Sequence, residues 1–212
     1  MVSYWVKSPA WMKRFFPSGM KWDLPTEANN PTVYITFDDG PHPFVTSFVL
    51  HQLYLYNAKA TFFCVGNNVA RFPEVYKKII GEGHKTANHT YNHLNGWKTT
   101  NSHYIKNIQQ AARHIDSMLF RPPYGRMRLS QYRKLKKINP HWEVYMWDIL
   151  SGDFDTTISP QKCAENVLAH IKPGSIILFH DSEKAKERMQ FALPLVLQHC
   201  VNHGWEMKVL PG

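Results

Sequence analysis

From Pro31 to its end the chain alternates β-rich runs with helix-like stretches, and this alternation constrains the fold more than any other feature. Val33–Phe37 reads as a strand, and Phe44–Tyr56, after the Pro41/Pro43 punctuation, as an amphipathic helix. Ala60–Val65 is a second strand, and Asn67–Gly81 a helix stopped by Gly81 and Gly83. A short strand at His84–Ala87 precedes a longer helix at Asn101–Leu119, and Phe120–Tyr124 makes a brief strand that breaks at Pro122-Pro123. Helix Leu129–Ile138, strand Trp142–Trp147 and helix Pro160–Ile171, with proline in its first turn, continue the pattern. The wholly apolar strand Ser175–Phe179, helix Lys184–Asn202 and strand Trp205–Val209 complete it. The repetition predicts an α/β fold, a distorted or incomplete (β/α) barrel of about seven parallel strands, with a doubly wound open sheet as the alternative.

No linker or low-complexity tract interrupts residues 31–212, which are expected to form one domain. Residues 1–30 form an aromatic and basic prelude containing Trp5, Trp11, Phe15, Phe16 and Trp22. Its expected role is to pack over the open end of the barrel; an amphipathic foot in peripheral contact with a membrane is the alternative. The formal charge of +9 suits an anionic partner such as a wall polymer or lipid surface, but the basic residues are dispersed and no nucleic-acid motif occurs. Cys64, Cys163 and Cys200 are an odd count without CxxC spacing, which gives no disulfide framework. No apolar run is long enough for a transmembrane helix. The N-terminus lacks the features of a secretory signal, so a cytoplasmic location is expected.

Polar clusters recur where the expected strands end. Asp38-Asp39 follow the first, His89 and His93 the third, and Arg121 with Tyr124 the fourth. Asp148 and Asp153 follow the fifth, His180 and Asp181 the sixth. Barrels place their chemistry at one face, at the ends of several strands. Two adjacent carboxylates at a strand end need a metal, an arginine or a shared proton to hold both charges. His89 and His93 have the HxxxH spacing that sets two imidazoles on one side of a helical turn. With 12 histidines in the chain, chance predicts ~0.7 such pairs, and a second pair, His199 and His203, lies on the last helix as surface or packing residues. The first pair gains its weight from the aspartates. Two imidazoles and one carboxylate form a three-ligand site with an open position, the pattern of a catalytic metal. A hydrogen-bonded polar cluster at the barrel mouth is the bland alternative.

Five stretches resemble, in order, the motifs of polysaccharide deacetylases of carbohydrate esterase family four, the NodB-homology domain, over roughly residues 31–210. Thr36-Phe37-Asp38-Asp39-Gly40 is similar to the first, which implies Asp38 as catalytic base and Asp39 as metal ligand. His89-Thr90-Tyr91-Asn92-His93 resembles the second, whose histidines complete the metal triad. Arg121-Pro122-Pro123-Tyr124-Gly125 resembles the third, with Arg121 paired to the base and the Tyr124 N–H as oxyanion donor. Trp147–Phe154 occupies the fourth, where Leu150 and Phe154 replace the usual aspartate and tryptophan; Asp153 keeps the role of orienting the catalytic histidine. Leu178-Phe179-His180 resembles the fifth, with His180 as general acid.

The resemblance implies a hydrolase that removes N-acetyl groups from an N-acetylglucosamine-containing glycan, such as peptidoglycan or a chitin-like oligosaccharide. It also implies a divalent metal, zinc first, with cobalt or nickel as alternatives. A hydrolase of a non-sugar amide by the same mechanism and a catalytically silent glycan binder are the rival readings. Trp97 could stack on a sugar or pack at the rim, and His42 could cap the following helix.

Overall fold

The computed structural model describes residues 4–26 and 29–212; residues 1–3, part of the N-terminal stretch that lacks secretory-signal features, lie outside them. Its strands are β1 (Met20–Lys21), β2 (Thr32–Asp38), β3 (Ala60–Cys64), β4 (Lys85–Asn88) and β5 (Leu119–Phe120). They continue with β6 (Glu143–Tyr145), β7 (Ile149–Leu150), β8 (Ile176–His180) and β9 (Glu206–Met207). The sheet runs β1-β6-β5-β4-β3-β2-β8-β7, with β9 beside the start of β2, and every ladder is parallel. Read as a circle from β2 to β8, strands adjacent in sequence are adjacent in space, except that β6 does not pair with β7. This order is a curled barrel with one open seam; a doubly wound sheet would instead reverse direction at its first strand.

The seam has a simple cause. Met146, Trp147 and Asp148 are all that separates β6 from β7, far short of the dozen or more residues a parallel crossover needs. The N-terminal segment fills the gap from both sides. β1 lies parallel to β6, and Lys7 bridges antiparallel to Ile149. Leu150 N–H donates to the Val6 carbonyl (2.8 Å) and Ser8 N–H to that of Asp148 (2.8 Å). The buried Asp148 carboxylate accepts from Ser175 Oγ (3.0 Å) and pairs with both Lys7 and Lys13. Phe16 and Trp22 pack into the core beside β6, whereas Trp5, Trp11 and Phe15 stay exposed in edge contact with one another.

Side-chain alternation along the strands sorts the interior. Val33, Ile35 and Phe37 of β2 face the helix-covered layer with Ala60, Phe62, Ile177 and Phe179. That layer is built largely on α2 (Val45–Leu55), α7 (Pro160–Leu168) and α8 (Lys186–Asn202), while α1 (Ala10–Lys13), α5 (Asn101–Ala111) and α6 (Leu129–Ile138) lie elsewhere along the chain. Their neighbours in sequence, Tyr34, Phe63 and Ile176, pack inside the barrel. Asp38 and His180 share this inward phase and sit in register across β2 and β8.

Several boundaries depart from expectation. Nine strands form among the described residues rather than about seven, because the two-residue β1 and β7 carry no readable period. The helix expected over Asn67–Gly81 is two, α3 (Gly66–Arg71) and α4 (Pro73–Gly81), broken at Phe72 because the residue before a proline is pushed out of the helical region. The helix from Asn101 ends at Ala111, and the chain turns at His114 and Ile115 onto the Ala111 carbonyl before entering β5. β5 itself stops at Phe120, ahead of the two prolines that offer no N–H to a ladder.

Removing the Asp148 carboxylate should loosen the seam: Asp148→Ala is expected to lower unfolding free energy by about 1–3 kcal/mol, the cost of unmaking buried charged hydrogen bonds. Urea denaturation of wild type and variant measures it, and an unchanged midpoint would contradict this role.

Candidate active site

At the carboxyl ends of β2, β4, β5 and β8 the expected polar residues meet. Asp38 ends β2 on the interior side, and Asp39 follows with φ 82°, which breaks strand alternation and turns its side chain to the same cavity. A Cβ at Gly40 would overlap the Asp181 carboxylate, which instead accepts the Gly40 N–H (2.9 Å) and the Thr46 hydroxyl. Asn68 Nδ2 holds the Asp39 carbonyl (2.8 Å). With the Val65 N–H on the Gly40 carbonyl (2.9 Å), the first turn is fixed from three directions.

His89 and His93 come together, their rings 5.0 Å apart, but on a loop rather than a helix. Thr90 and His93 both have positive φ. The loop is caught by side chains: Asn107 Oδ1 accepts the N–H groups of Tyr91 and Asn92, Asn88 Oδ1 that of Thr90, and Thr90 Oγ that of Leu94. The helical placement of HxxxH is thus corrected, since asparagine carbonyls here outcompete helical bonding. Among the described residues, four of the five non-glycine residues with positive φ, namely Asp39, Thr90, His93 and Tyr124, surround this one cavity. Strain so concentrated is typical of functional sites.

The Nε2 atom of His93 lies 3.2 Å and that of His89 3.9 Å from Asp39 Oδ1. That oxygen is buried yet has no well-directed hydrogen bond. His89 Nδ1 sits 2.8 Å from the Arg121 carbonyl, so it carries the proton and leaves Nε2 with a free lone pair. His93 Nδ1 meets the Tyr124 hydroxyl at 3.1 Å. Burial holds His89 down, to a pKa of about 4, as a neutral ligand requires. Burial raises Asp39, but the adjacent His93 and the fields of His180 and His89 outweigh it and hold the carboxyl below its usual range. One carboxylate and two imidazoles, with ligand atoms all within 4.8 Å of one another, fit a divalent cation.

Beside this triad lie two charged pairs. Arg121 is fully buried; its Nη1 donates to Asp38 Oδ1 and Thr36 Oγ1 (2.8 Å each), Nη2 to the Met146 carbonyl (2.8 Å) and Nε to that of Tyr145 (3.3 Å). Asp38 Oδ2 is 3.6 Å from His89 Nε2. Opposite in register, His180 Nδ1 binds Asp153 Oδ1 (2.7 Å), and Asp153 Oδ2 accepts the His180 backbone N–H (2.6 Å). Burial would lower His180, but the buried Asp153 carboxylate reverses that and pushes it up to about 10. Tyr124 occupies the left-handed region (φ 60°, ψ 9°) in the turn after Arg121, with its ring exposed at the rim.

All eight residues singled out for catalysis and metal binding occupy this mouth. Asp148 does not; it faces the seam. Leu150 is buried in β7 beside Leu178, and Phe154 lines the approach to His180. His42 Nδ1 accepts the Val45 N–H and begins α2 (3.2 Å). His199 and His203 stack on the surface of α8, away from the cavity. Sequence reading missed Asn88 and Asn107 and gave no role to Thr36 or Asp181, whose signal was only a polar side chain adjoining a reactive one.

Comparison with known proteins places the chain among similar sequences and structures. The family model for polysaccharide deacetylase matches residues 26–139. A peptidoglycan-N-acetylglucosamine deacetylase of Bacillus cereus is 30% identical over 199 residues, covering 91% of this chain and 92% of its own. A chitooligosaccharide deacetylase of Bradyrhizobium is 36% identical over 201 residues, covering 85% and 89%. A crystal structure of the Bc1960 peptidoglycan N-acetylglucosamine deacetylase superposes with a TM-score of 0.84 at 28% identity, over 96% of this chain and 95% of that one.

After dialysis against a mixture of zinc, cobalt and nickel, the protein is expected to retain a divalent ion that His89→Ala and Asp39→Ala lose. Elemental analysis of the three proteins decides it, and equal metal content in all would exclude the triad.

Proposed function

Since the chain belongs to the polysaccharide deacetylase family, we propose that it removes N-acetyl groups from N-acetylglucosamine units of a glycan and releases acetate. The observation that carries this reading is the convergence of an Arg121–Asp38 pair and an Asp153–His180 pair on the cavity of the Asp39, His89 and His93 triad. An acetamide is a poor electrophile, water a poor nucleophile and an amide nitrogen a poor leaving group, and each deficit has a residue here to meet it.

Asp39, His89 and His93 would hold the metal, which supplies Lewis-acid polarisation of the acetyl carbonyl and a more acidic water; zinc suits the donor set, and cobalt or nickel also fits. Asp38 takes the proton of the attacking water as its oxygen bonds to the carbonyl carbon. Arg121, locked by Thr36 and two carbonyls, allows Asp38 one position for that transfer. The Tyr124 N–H donates to the oxyanion of the tetrahedral adduct, a contribution of roughly 3–4 kcal/mol for a well-placed donor. When the C–N bond breaks, His180 gives its Nε2 proton to the departing amine. Asp153 makes that possible by occupying Nδ1, which directs Nε2 to the cavity, and by keeping the imidazolium charged at neutral pH. The products are acetate and a free amine on the sugar.

A silent glycan binder would have no need for a buried arginine on one carboxylate and a buried carboxylate on one histidine. A small-amide hydrolase could use the same groups, so substrate choice is the direct test. Acetate release from chitooligosaccharides and peptidoglycan fragments is expected to exceed that from simple acetamides. Asp38→Asn should lower kcat by about 10²–10⁴-fold, the range for a general base; unchanged turnover would remove Asp38 from the mechanism.

The pH profile tests the acid. A group raised to about 10 is protonated through neutral pH and loses its proton as pH climbs past that value, so activity falls on the alkaline side. In Asp153→Asn the burial that lowers His180 is opposed only by the weaker fields of Asp39 and Asp38. The alkaline fall should then move to lower pH by at least about one unit, and a fixed limb would dissociate it from His180.

A further inference from the structure

The outer wall of the His180 pocket is not supplied by the barrel alone. Phe154 sets its ring against His180, with centroids 5.4 Å apart and planes at 72°. Phe154 in turn meets Tyr4 at 5.3 Å, tilted by 55°. Tyr4 belongs to the N-terminal segment that fills the barrel seam, and it reaches the same loop at two further points. Its hydroxyl lies so close to Gly152 that a Cβ there would come within 2.6 Å of it. The hydroxyl also faces the Asp155 carboxylate. Gly152 has φ 80°, so this turn tolerates little but glycine. Between these contacts sits Asp153, which holds the ring and the backbone of His180 with its two oxygens.

The segment that carries Tyr4 is anchored. Its Val6 carbonyl and Ser8 N–H bond to β7 and Asp148, and Lys7 pairs with the Asp148 carboxylate. Tyr4, two residues before Val6, is therefore placed by the sheet and has two rotatable side-chain bonds left to fix. Packing against Phe154 fixes them.

We propose that Tyr4 is a positioning residue for this reaction: it clamps the Gly152–Asp155 turn so that Phe154 shields the Asp153–His180 pair from water. The ring carries this by packing on Phe154; the hydroxyl's contacts with Gly152 and Asp155 flank the turn without bearing on Phe154. The inference rests on the deacetylase reading for its catalytic consequence, but the clamp itself is a property of the folded chain. Tyr4→Phe keeps the ring and is expected to behave like wild type. Tyr4→Ala removes the buttress.

Two readouts separate the clamp from its consequence. The shielded Nδ1–H proton of His180, held on Asp153, should give a low-field proton resonance in wild type and Tyr4→Phe that His180→Asn lacks. In Tyr4→Ala exchange with water should broaden it beyond detection. Acetate release should show kcat reduced about ten-fold in Tyr4→Ala, with KM and melting temperature nearly unchanged, as expected for misplacement of a catalytic group. A resonance that persists unbroadened in Tyr4→Ala, or that is missing from wild type, overturns the proposal. So does an equal loss of kcat in Tyr4→Phe. If wild type releases no acetate from any glycan, the deacetylase reading fails while the resonance comparison still decides the clamp.

Discussion

A guanidinium with no solvent exposure organises the mouth of this barrel. Arg121 brings a permanent charge into a region where an unpaired ion would be prohibitive, and it is accepted because its donors meet Asp38, Thr36 and the carbonyls of Tyr145 and Met146. Its flat face lies over Phe63, 4.0 Å from the ring centre. The same residue's backbone N–H binds the Asn88 carbonyl, and its own carbonyl fixes His89 Nδ1. One residue therefore joins β2, β4, β5 and β6 and touches both the proposed base and a proposed ligand. Lysine could not replace it, because a single ammonium cannot span these directions at once.

The other organising constraint is topological. Three residues cannot carry a parallel crossover, so β6 and β7 are left apart and the barrel cannot close on its own strands. The segment before β2 resolves this with one parallel two-residue strand and one antiparallel bridge. A piece of chain that reads as a prelude thereby becomes part of the sheet, and its first described residue reaches the catalytic turn. Fold closure and site architecture are coupled through the same segment.

Much of this was legible in the residues. The alternation of β-rich runs and helices located β2, β3, β4 and β8 within a residue or two, because each is buried on both faces and long enough to show itself. The reactive residues were found because a barrel gathers strand ends at one face. What stayed hidden depended on partners distant in sequence. β1 and β7 exist through pairing alone. The HxxxH stretch looked helical because spacing cannot register Asn107, more than a turn of chain away, capturing two of its N–H groups. The break at Phe72, by contrast, was announced by Pro73.

The two central histidines show how one residue type is given opposite tasks. His89 and His180 are both largely buried, and burial alone would drive each toward neutrality. The difference lies at Nδ1. His89 presents it to a backbone carbonyl, a dipole that fixes the tautomer without repaying the loss of solvation; His180 presents it to a buried carboxylate, a full charge that does. The outcome is a pKa of about 4 for one and about 10 for the other. The first is then a lone-pair donor at neutral pH, and the second a proton donor at the same pH. Neighbouring groups pushed apart in this way are how a single site runs acid and base chemistry together. Here the separation follows from which strand end each histidine occupies: β4 ends beside the Arg121 carbonyl, and β8 ends beside the turn that Asp153 anchors.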